Sequence, residues 1–175
     1  IAAPELGYVF GRGPSGSGMI ELLHAILHTG NESNMRKLLL GRKWATESQD
    51  GSLDTSKWDA FVARMIAEKR ITKVHYDFAQ GVWNLMESLA PAAQKAHRAV
   101  FGKFFAKVTA TPFENAFGKY AGGYVPALTD TDIVKDREVE KLRDAATSEM
   151  GVAFPEPPKG FTNKRVEGYT RELKL

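Results

Sequence analysis

The sequence predicts a mainly α-helical protein, built as an antiparallel bundle of about five to six helices. Apolar residues recur with the period of an α-helix through most of the first 108 residues, and the connections between these stretches are short. The chain has 175 residues, of which 43% are hydrophobic, enough for one domain with its own core. We expect a flexible or extended lead-in over residues 1–18, the helical bundle over residues 19–150, and an extended, proline-rich tail over residues 151–175 that stops in mid-pattern.

The first two helices are predicted to be short. The first begins near Met19 and ends before Gly30, and the second runs over residues 32–40 and is closed by Gly41. Their apolar side chains follow the i, i+3, i+4, i+7 pattern of one helix face. The side chains expected to face the core are Met19, Leu22, Leu23, Ile26 and Leu27 in the first helix and Met35, Leu38 and Leu39 in the second.

Three longer helices are predicted to follow. A polar loop precedes the third, which Asp54 or Thr55 can open by accepting its free amide hydrogens. Pro91 suits the first turn of a helix, so we expect it to separate the fourth helix from a fifth that runs to Val108. The expected core faces are Trp58, Phe61, Val62, Met65 and Ile66 in the third helix, Val74, Phe78, Val82, Leu85, Met86 and Leu89 in the fourth, and Ala96, Val100, Phe101, Phe104, Phe105 and Val108 in the fifth.

The chain changes character after residue 109. Pro112 and Pro126 prevent a continuous helix, and the run GKYAGGYVP over residues 118–126 predicts an extended segment with a tight turn or bulge at its two glycines. Small residues there permit close backbone approach, while the phenols can stack or form hydrogen bonds. The run predicts a structural clasp folded over the bundle or, alternatively, the edge of a ligand or partner surface. Its candidate residues are Tyr120, Gly122, Gly123 and Tyr124.

The last predicted helix covers residues 131–150, with Asp130 as its cap. Its apolar stripe is thin and its charges are many, as in a solvated surface helix. The apolar positions are Ile133, Val139, Leu142, Ala146 and Met150. Beyond it, exposed aromatic residues of the tail would prefer burial, so the tail is where the sequence predicts contact with a second copy.

Composition excludes several classes of function. The chain has no Cys, so it holds neither disulfides nor thiolate-bound zinc or iron–sulfur centres. No apolar run approaches the length of a transmembrane helix. A net charge of +3 is too small for a dedicated nucleic-acid-binding protein. The run GRGPSG over residues 11–16 matches a dinucleotide-binding pattern but is followed by helices rather than by a βαβ unit.

Glu21, His24 and His28 are the candidate metal ligands. They share one face of the first predicted helix, and Glu-x-x-His is half of the motif used by carboxylate-bridged di-metal bundles. The second half of that motif is missing from the sequence, and Ala25 stands where an HExxH zinc site would carry its catalytic acid. The alternative, which we favour, is that these are polar residues flanking an apolar stripe. We therefore predict no metal and no cofactor.

Arg36, Lys37, Arg42 and Lys43 are the candidate nucleic-acid contacts. They form a basic cluster, and further basic residues continue it over residues 36–73. Such a face could bind the phosphate backbone of DNA. The aromatic residues of this region occupy predicted core positions instead of alternating with the charges, so stacking on bases is not indicated. A solvated basic surface is the favoured alternative.

Several runs resemble a region of the very large polyvalent proteins of bacteriophages, prophages and conjugative elements. The runs are NESNMRKLLLGRKW (31–44), DGSLDTSKWDAF (50–61), QGVWNLMESLAPAAQKAH (80–97), FGKYAGGYVPALTD (117–130) and GFTNKRVEGY (160–169). The resemblance covers about residues 20–170. It implies a helical associated domain without assigned activity, placed between enzymatic modules such as DNA methylases, helicases and peptidases. None of these runs carries a catalytic motif of that family.

The leading hypothesis is therefore a non-enzymatic structural or interaction domain of a larger phage or prophage protein. Its expected partners are other modules of the same chain, a second copy that binds through the tail, and nucleic acid through weak contacts, with no membrane. The resemblance implies a location in the cytoplasm of the bacterial host or in the virion. Two alternatives remain: an auxiliary DNA-binding module that uses residues 36–73, and a metal-binding helical-bundle enzyme.

Overall fold

The computed structural model describes residues 1–12 and 16–127, and about half of these residues lie in four α-helices. The fold is mainly α-helical, as predicted, and three small antiparallel hairpins complete the described part. The predicted count of five to six helices stays a prediction, because residues 131–150 lie outside the described residues. The proline-rich tail over residues 151–175 also lies outside them.

The elements follow one another with short connections. They are β1 (Ala2–Ala3), a 3₁₀ turn (Pro4–Leu6), β2 (Tyr8–Val9), α1 (Gly18–His28), α2 (Glu32–Gly41), β3 (Thr46–Glu47), β4 (Leu53–Asp54), α3 (Ser56–Ala67), α4 (Lys73–Phe101), β5 (Phe113–Asn115) and β6 (Gly118–Tyr120). Each hairpin pairs two consecutive strands. The paired residues include Ala3 with Tyr8, Thr46 with Asp54, and Phe113 with Tyr120.

α1 and α2 lie close to their predicted bounds because local caps define them. The side chain of Ser17 accepts a hydrogen bond from the Ile20 amide at the start of α1. The Asn31 side chain accepts one from the Asn34 amide, 2.9 Å away, at the start of α2. Side-chain acceptors at these positions satisfy amide groups that have no partner within the helix.

The described part of the expected flexible or extended lead-in contains two short extended strands, and it packs against the helices. Residues 1–10 form the hairpin β1–β2 around the 3₁₀ turn, and Ala3, Leu6 and Phe10 are buried. The carboxylate of Glu5 binds the guanidinium of Arg64 on α3, with 2.5 Å between Oε1 and Nε. The packing of this segment could not be predicted, because an apolar residue every three or four positions in a short segment does not reveal a long-range partner.

α4 is one continuous helix, so the predicted boundary at Pro91 is wrong. Proline inside a helix removes one backbone hydrogen bond, from its own position to the carbonyl four residues earlier. That carbonyl belongs to Glu87, and both Glu87 and Pro91 are exposed, so water can satisfy it. The helix ends at Gly102, whose φ of 72° is left-handed. The predicted fifth helix up to Val108 is therefore wrong as well.

The core is one hydrophobic cluster that contains two groups of aromatic side chains beside buried aliphatic residues such as Leu22, Ile26 and Leu39. In the first group, the Phe10 ring stacks on Phe61 with centroids 5.3 Å apart. Trp44 and Trp58, stacked at 5.7 Å, extend that group between the first hairpin and α3. The second group joins α4 to the hairpin β5–β6, and its members are Tyr76, Trp83, Phe113, Phe117 and Tyr120. Offset and edge contacts of this kind add to the burial of each ring.

Candidate interaction surface

The inner face of α4, which we define as Tyr76, Ala79 and Trp83, is buried against the rest of the described chain. Trp83 is 1% exposed, and its indole Nε1 donates a hydrogen bond to the Leu27 carbonyl of α1 over 3.0 Å. Burial raises the pKa of Tyr76 to about 12, since the phenolate is disfavoured away from water. This face holds α4 to the fold.

The GKYAGGYVP segment folds over this face and meets the connection between α1 and α2. The Gly123 amide donates to the Gly30 carbonyl over 2.7 Å, and the Thr111 amide donates to the same oxygen over 3.0 Å. The Asn31 side chain returns a bond from Nδ2 to the Gly123 carbonyl over 3.1 Å. The backbone of the segment therefore ties it to the bundle. Of the two roles that the sequence left open, a structural clasp or the edge of a partner surface, this arrangement corresponds to the clasp.

Glycine is required where the clasp crosses Trp83. A Cβ atom on Gly30 would lie 2.6 Å from Cζ2 of Trp83 and 2.7 Å from the Gly123 carbonyl oxygen. A Cβ atom on Gly123 would lie 2.7 Å from Cγ of Trp83. A Cβ atom on Gly122, whose φ is +71°, would lie 2.5 Å from the Thr111 carbonyl oxygen. Three close backbone approaches thus depend on the absence of a side chain.

Two amide side chains complete the clasp. The Gln80 Oε1 accepts hydrogen bonds from the amides of Ala121, at 2.9 Å, and Gly122, at 3.2 Å. The buried Asn34 donates from Nδ2 to the Val125 carbonyl over 2.8 Å. Both residues imitate a neighbouring strand by bonding to the backbone. Sequence analysis missed them, because a single amide residue on a helix gives no signal of a distant backbone partner.

The remaining candidates of the clasp also face the protein. Tyr120 is buried, and its hydroxyl donates to the Asp77 carboxylate over 3.2 Å. Burial and the bond to Asp77 raise the pKa of the Tyr120 phenol. Tyr124 is half-buried. Tyr120, Gly122 and Gly123, three of the four residues proposed as a partner edge, are consequently used within the fold.

The three candidate metal ligands do not converge. The Glu21 carboxylate is buried and accepts hydrogen bonds from the Tyr8 hydroxyl and, over 2.5 Å, from the Gly11 amide. It therefore holds the second strand of the first hairpin to α1. The rings of His24 and His28 lie side by side, with centroids 5.0 Å apart. Over residues 1–12 and 16–127, no three His, Cys, Asp or Glu side chains are grouped so that they could hold a metal ion.

His28 is fully buried, and in the described structure neither of its ring nitrogens has a hydrogen-bond partner. Burial, together with the neighbouring His24, lowers its pKa from 6.5 to about 3. Burial and the charge of Arg42 also lower the pKa of His24. His28 is therefore a neutral core residue near neutral pH, and it lowers stability because its polar atoms are unpaired.

Some side chains of the basic cluster bind other groups of the same chain. Arg36 forms an ion pair with Glu47 and donates to the Gly51 carbonyl over 3.0 Å, which fixes α2 to the hairpin β3–β4. The Arg42 guanidinium lies 5.3 Å from the ring centre of Tyr8 and 5.5 Å from that of Trp44. Lys37 is half-buried and Lys43 is exposed. Half of the proposed phosphate contacts thus have a structural role.

The predicted core face of the fourth helix is largely wrong. Most of its members lie on the outer face of α4, opposite the inner face, and they are exposed. We define the outer face as Val74 (71% exposed), Phe78 (53%), Leu85 (58%), Leu89 (48%) and Val100 (69%), together with the exposed small residues Gly81, Ala92 and Ala96. Phe101 and Phe104, predicted to be in the core, are exposed as well.

The outer face is continuous along nearly the whole helix. Its eight members recur every three or four residues from position 74 to position 100, a span of about 39 Å at 1.5 Å per residue. None of them is charged or polar. Water-soluble domains rarely expose apolar rows of this length unless another surface covers them.

Comparison of the sequence with protein-family models and with curated proteins, and of the fold with solved structures, finds no match in any of the three. The resemblance to polyvalent proteins therefore stays an expectation. In the part of the chain that the structure describes, no helix combines the length and the apolarity needed to cross a membrane.

Proposed function

We propose that this chain is a non-catalytic interaction domain of a larger polyvalent protein of a phage, prophage or conjugative element. In this role the first three helices, the hairpins and the clasp form a rigid base, and α4 presents its outer face to a protein partner. The context of a mobile element comes from the family resemblance of the sequence.

The observation that supports the proposal most directly is the exposed outer face of α4. An exposed Phe or Leu side chain gains about 1.5–3 kcal/mol when it is fully buried, so a row of them favours association strongly. Within the described residues, the side chains on the opposite side of the helix already complete a core without the outer face. The exposure of the outer face therefore supports a role in association.

Several polar side chains connect elements of the described chain, as expected of a structural domain. The buried residues Glu21, Asn31 and Asn34 form hydrogen bonds to backbone or side-chain groups of other elements. Arg64 likewise joins α3 to the first hairpin. Each of these groups has a structural role that needs no substrate.

Site-specific photo-crosslinking tests the proposal. A benzophenone amino acid is placed at position 85, on the outer face, or at position 20 as a matched control, in cells that express the parent gene. Leu85 and Ile20 are both 58% exposed, but Ile20 lies on α1, away from this face. We expect crosslinks to a protein, identified by peptide mass, from position 85 and few from position 20. Equal labelling at both positions, or turnover of a nucleotide, peptide or glycan by the purified chain, contradicts the proposal.

A further inference from the structure

We propose that the partner of the outer face is a second copy of this chain, with the two α4 helices packed antiparallel about a two-fold axis near Glu87. The inference rests on the proposed function, because it names the occupant of the same surface. Symmetric dimers use one patch twice, so such a patch must be complementary to itself. The outer face has this property in shape and in charge.

The shape of the outer face is self-complementary. Val74 and Val100 lie at equal distances along the chain from Glu87, so an antiparallel pair places each opposite the other. The same axis places the large side chain of Phe78 opposite the methyl group of Ala96. Pairing of large with small side chains lets two helices approach closely without overlap.

The centre of the face completes the pattern. Leu85 and Leu89 lie two residues to either side of the proposed axis. Leu85 of one copy therefore contacts Leu89 of the other copy. Positions 74, 85 and 96 are eleven residues apart, and an 11-residue repeat, at about 3.67 residues per turn, keeps an apolar row on one side of a helix. Six of the eight members of the row therefore face another member across the axis, whereas Gly81 and Ala92 face Ala93 and Val82.

The charges at one edge of the face are complementary too. Asp77 and Lys95 project from the same edge, at about 100° per residue. In the antiparallel arrangement Lys95 comes to lie about 3 Å along the helix axis from Asp77 of the second copy. A lysine side chain spans that offset easily. Asp77 already pairs with Lys73 of its own helix, with 2.7 Å between Nζ and Oδ1, and its side chain is 48% exposed. The contact with Lys95 of the second copy therefore favours the antiparallel orientation only weakly.

The predicted helix over residues 131–150 is a poorer occupant. It carries five apolar positions that span 17 residues, or about 26 Å of helix. The outer face is about 39 Å long with eight positions. That segment would leave a third of the face uncovered, whereas a second α4 covers all of it.

Sedimentation equilibrium of the full chain tests the inference. We expect twice the monomer mass of 19.3 kDa at high micromolar concentration. Leu85→Glu places a charge against leucine in both halves of the interface and is expected to weaken dimerisation by at least about a hundredfold. Ile20→Glu, the same change at the same exposure, is expected to leave the dimer intact. Circular dichroism checks that both variants keep the helical content of the parent chain.

Cysteine pairs test the orientation, because the chain contains no other thiol. An antiparallel dimer predicts that a mixture of the single variants Val74→Cys and Val100→Cys forms a disulfide-linked heterodimer on mild oxidation, and that each variant alone forms little. A crosslinked homodimer of Val74→Cys would indicate parallel helices and would overturn the arrangement. The disulfide requires Cα atoms within about 7 Å, so the readout is specific.

The two proposals fail separately. A full chain that stays monomeric up to millimolar concentration, or a Leu85→Glu variant that remains dimeric, overturns the second-copy inference. If position 85 then still crosslinks in cells to a different protein, the occupant was wrong but the interaction domain stands. If it crosslinks to residues 131–150 of its own chain, both proposals are wrong. A crosslink to the same peptide in a second copy supports both proposals.

Discussion

The two faces of α4 are both apolar, yet only one of them is buried. The inner face carries Trp83, which packs against two glycine backbones and donates a hydrogen bond to α1. The outer face carries apolar side chains in a more regular row, and in the described chain it remains exposed. The hydrophobic period alone therefore does not determine which side of a helix faces the core. Shape complementarity with neighbouring elements determines it.

The difference separates two kinds of stabilisation. Substitutions on the inner face act on the folding of the single chain. Those on the outer face leave folding almost unchanged and act on association. Four substitutions test this difference through their effects on stability.

Trp83→Ala is expected to have the largest effect. It removes a fully buried ring and leaves a cavity beneath the clasp, so we expect a loss of about 3–5 kcal/mol in the free energy of unfolding, measured by urea denaturation. The control is Leu85→Ala at a concentration low enough to keep the chain monomeric, which is expected to cost below about 1 kcal/mol. Similar losses for the two variants would mean that the outer face is part of the core.

Gly123→Ala is expected to cost about 1–3 kcal/mol, because its Cβ atom would overlap the Trp83 side chain and neither backbone can move freely. The double variant with Trp83→Ala tests the cause directly. The cavity left by the ring has room for the added methyl group. The loss in the free energy of unfolding of the double variant should therefore be smaller than the sum of the losses of the two single variants. Strict additivity would show that Gly123 is needed for another reason.

His28→Leu is expected to flatten the dependence of stability on pH. The folded pKa of His28, about 3, lies below the ordinary value of 6.5, so below that value the unfolded chain takes up a proton that the folded chain refuses. Stability is then lost as pH falls from about 6.5 towards 3, at up to about 1.4 kcal/mol per pH unit.

The window between about pH 5 and pH 6.5 isolates this effect, since ordinary carboxyl groups titrate lower. Chemical denaturation across the window should show a smaller slope in His28→Leu than in the parent chain. Some slope remains, because the pKa of His24 is lowered as well. An unchanged slope would mean that His28 is not buried in the folded protein.

Gly81→Ala is expected to have the smallest effect, and the opposite sign. Gly81 lies inside α4 on the outer face, where a Cβ atom meets nothing within 4 Å. Replacing glycine by alanine within a helix stabilises it by up to about 1 kcal/mol. Thermal denaturation of the monomer should therefore show a higher Tm. A lower Tm would indicate that the outer face contacts another part of the same chain.

Much of the helical architecture could be predicted from the sequence. The predicted bounds of α1 and α2 lie within one or two residues of the observed ones, because caps such as Asn31 act on their immediate neighbours. Pro91 was misassigned because proline occurs both in the first turn of a helix and at exposed positions inside one. Only the exposure of the position in the folded protein distinguishes the two cases.

The candidate site could be predicted only in part. The paired glycines of the GKYAGGYVP run indicated a close backbone approach, and the structure contains one at Gly122 and Gly123. Its partners, Gly30 and Gln80, are distant in the sequence and could not be found from it. Glu21 and His28 share one helix face, but the first hairpin engages Glu21 separately and so prevents the two from converging.

Local order in this protein follows from the sequence: where α1 and α2 start and end, and where backbone must come close to backbone. Those properties depend on neighbours a few residues away, whose geometry is fixed by the helix or the turn. Tertiary structure alone decided which row of α4 is buried and which charges are used internally. A side chain becomes buried only when a surface of matching shape reaches it, and that surface comes from segments far away along the chain.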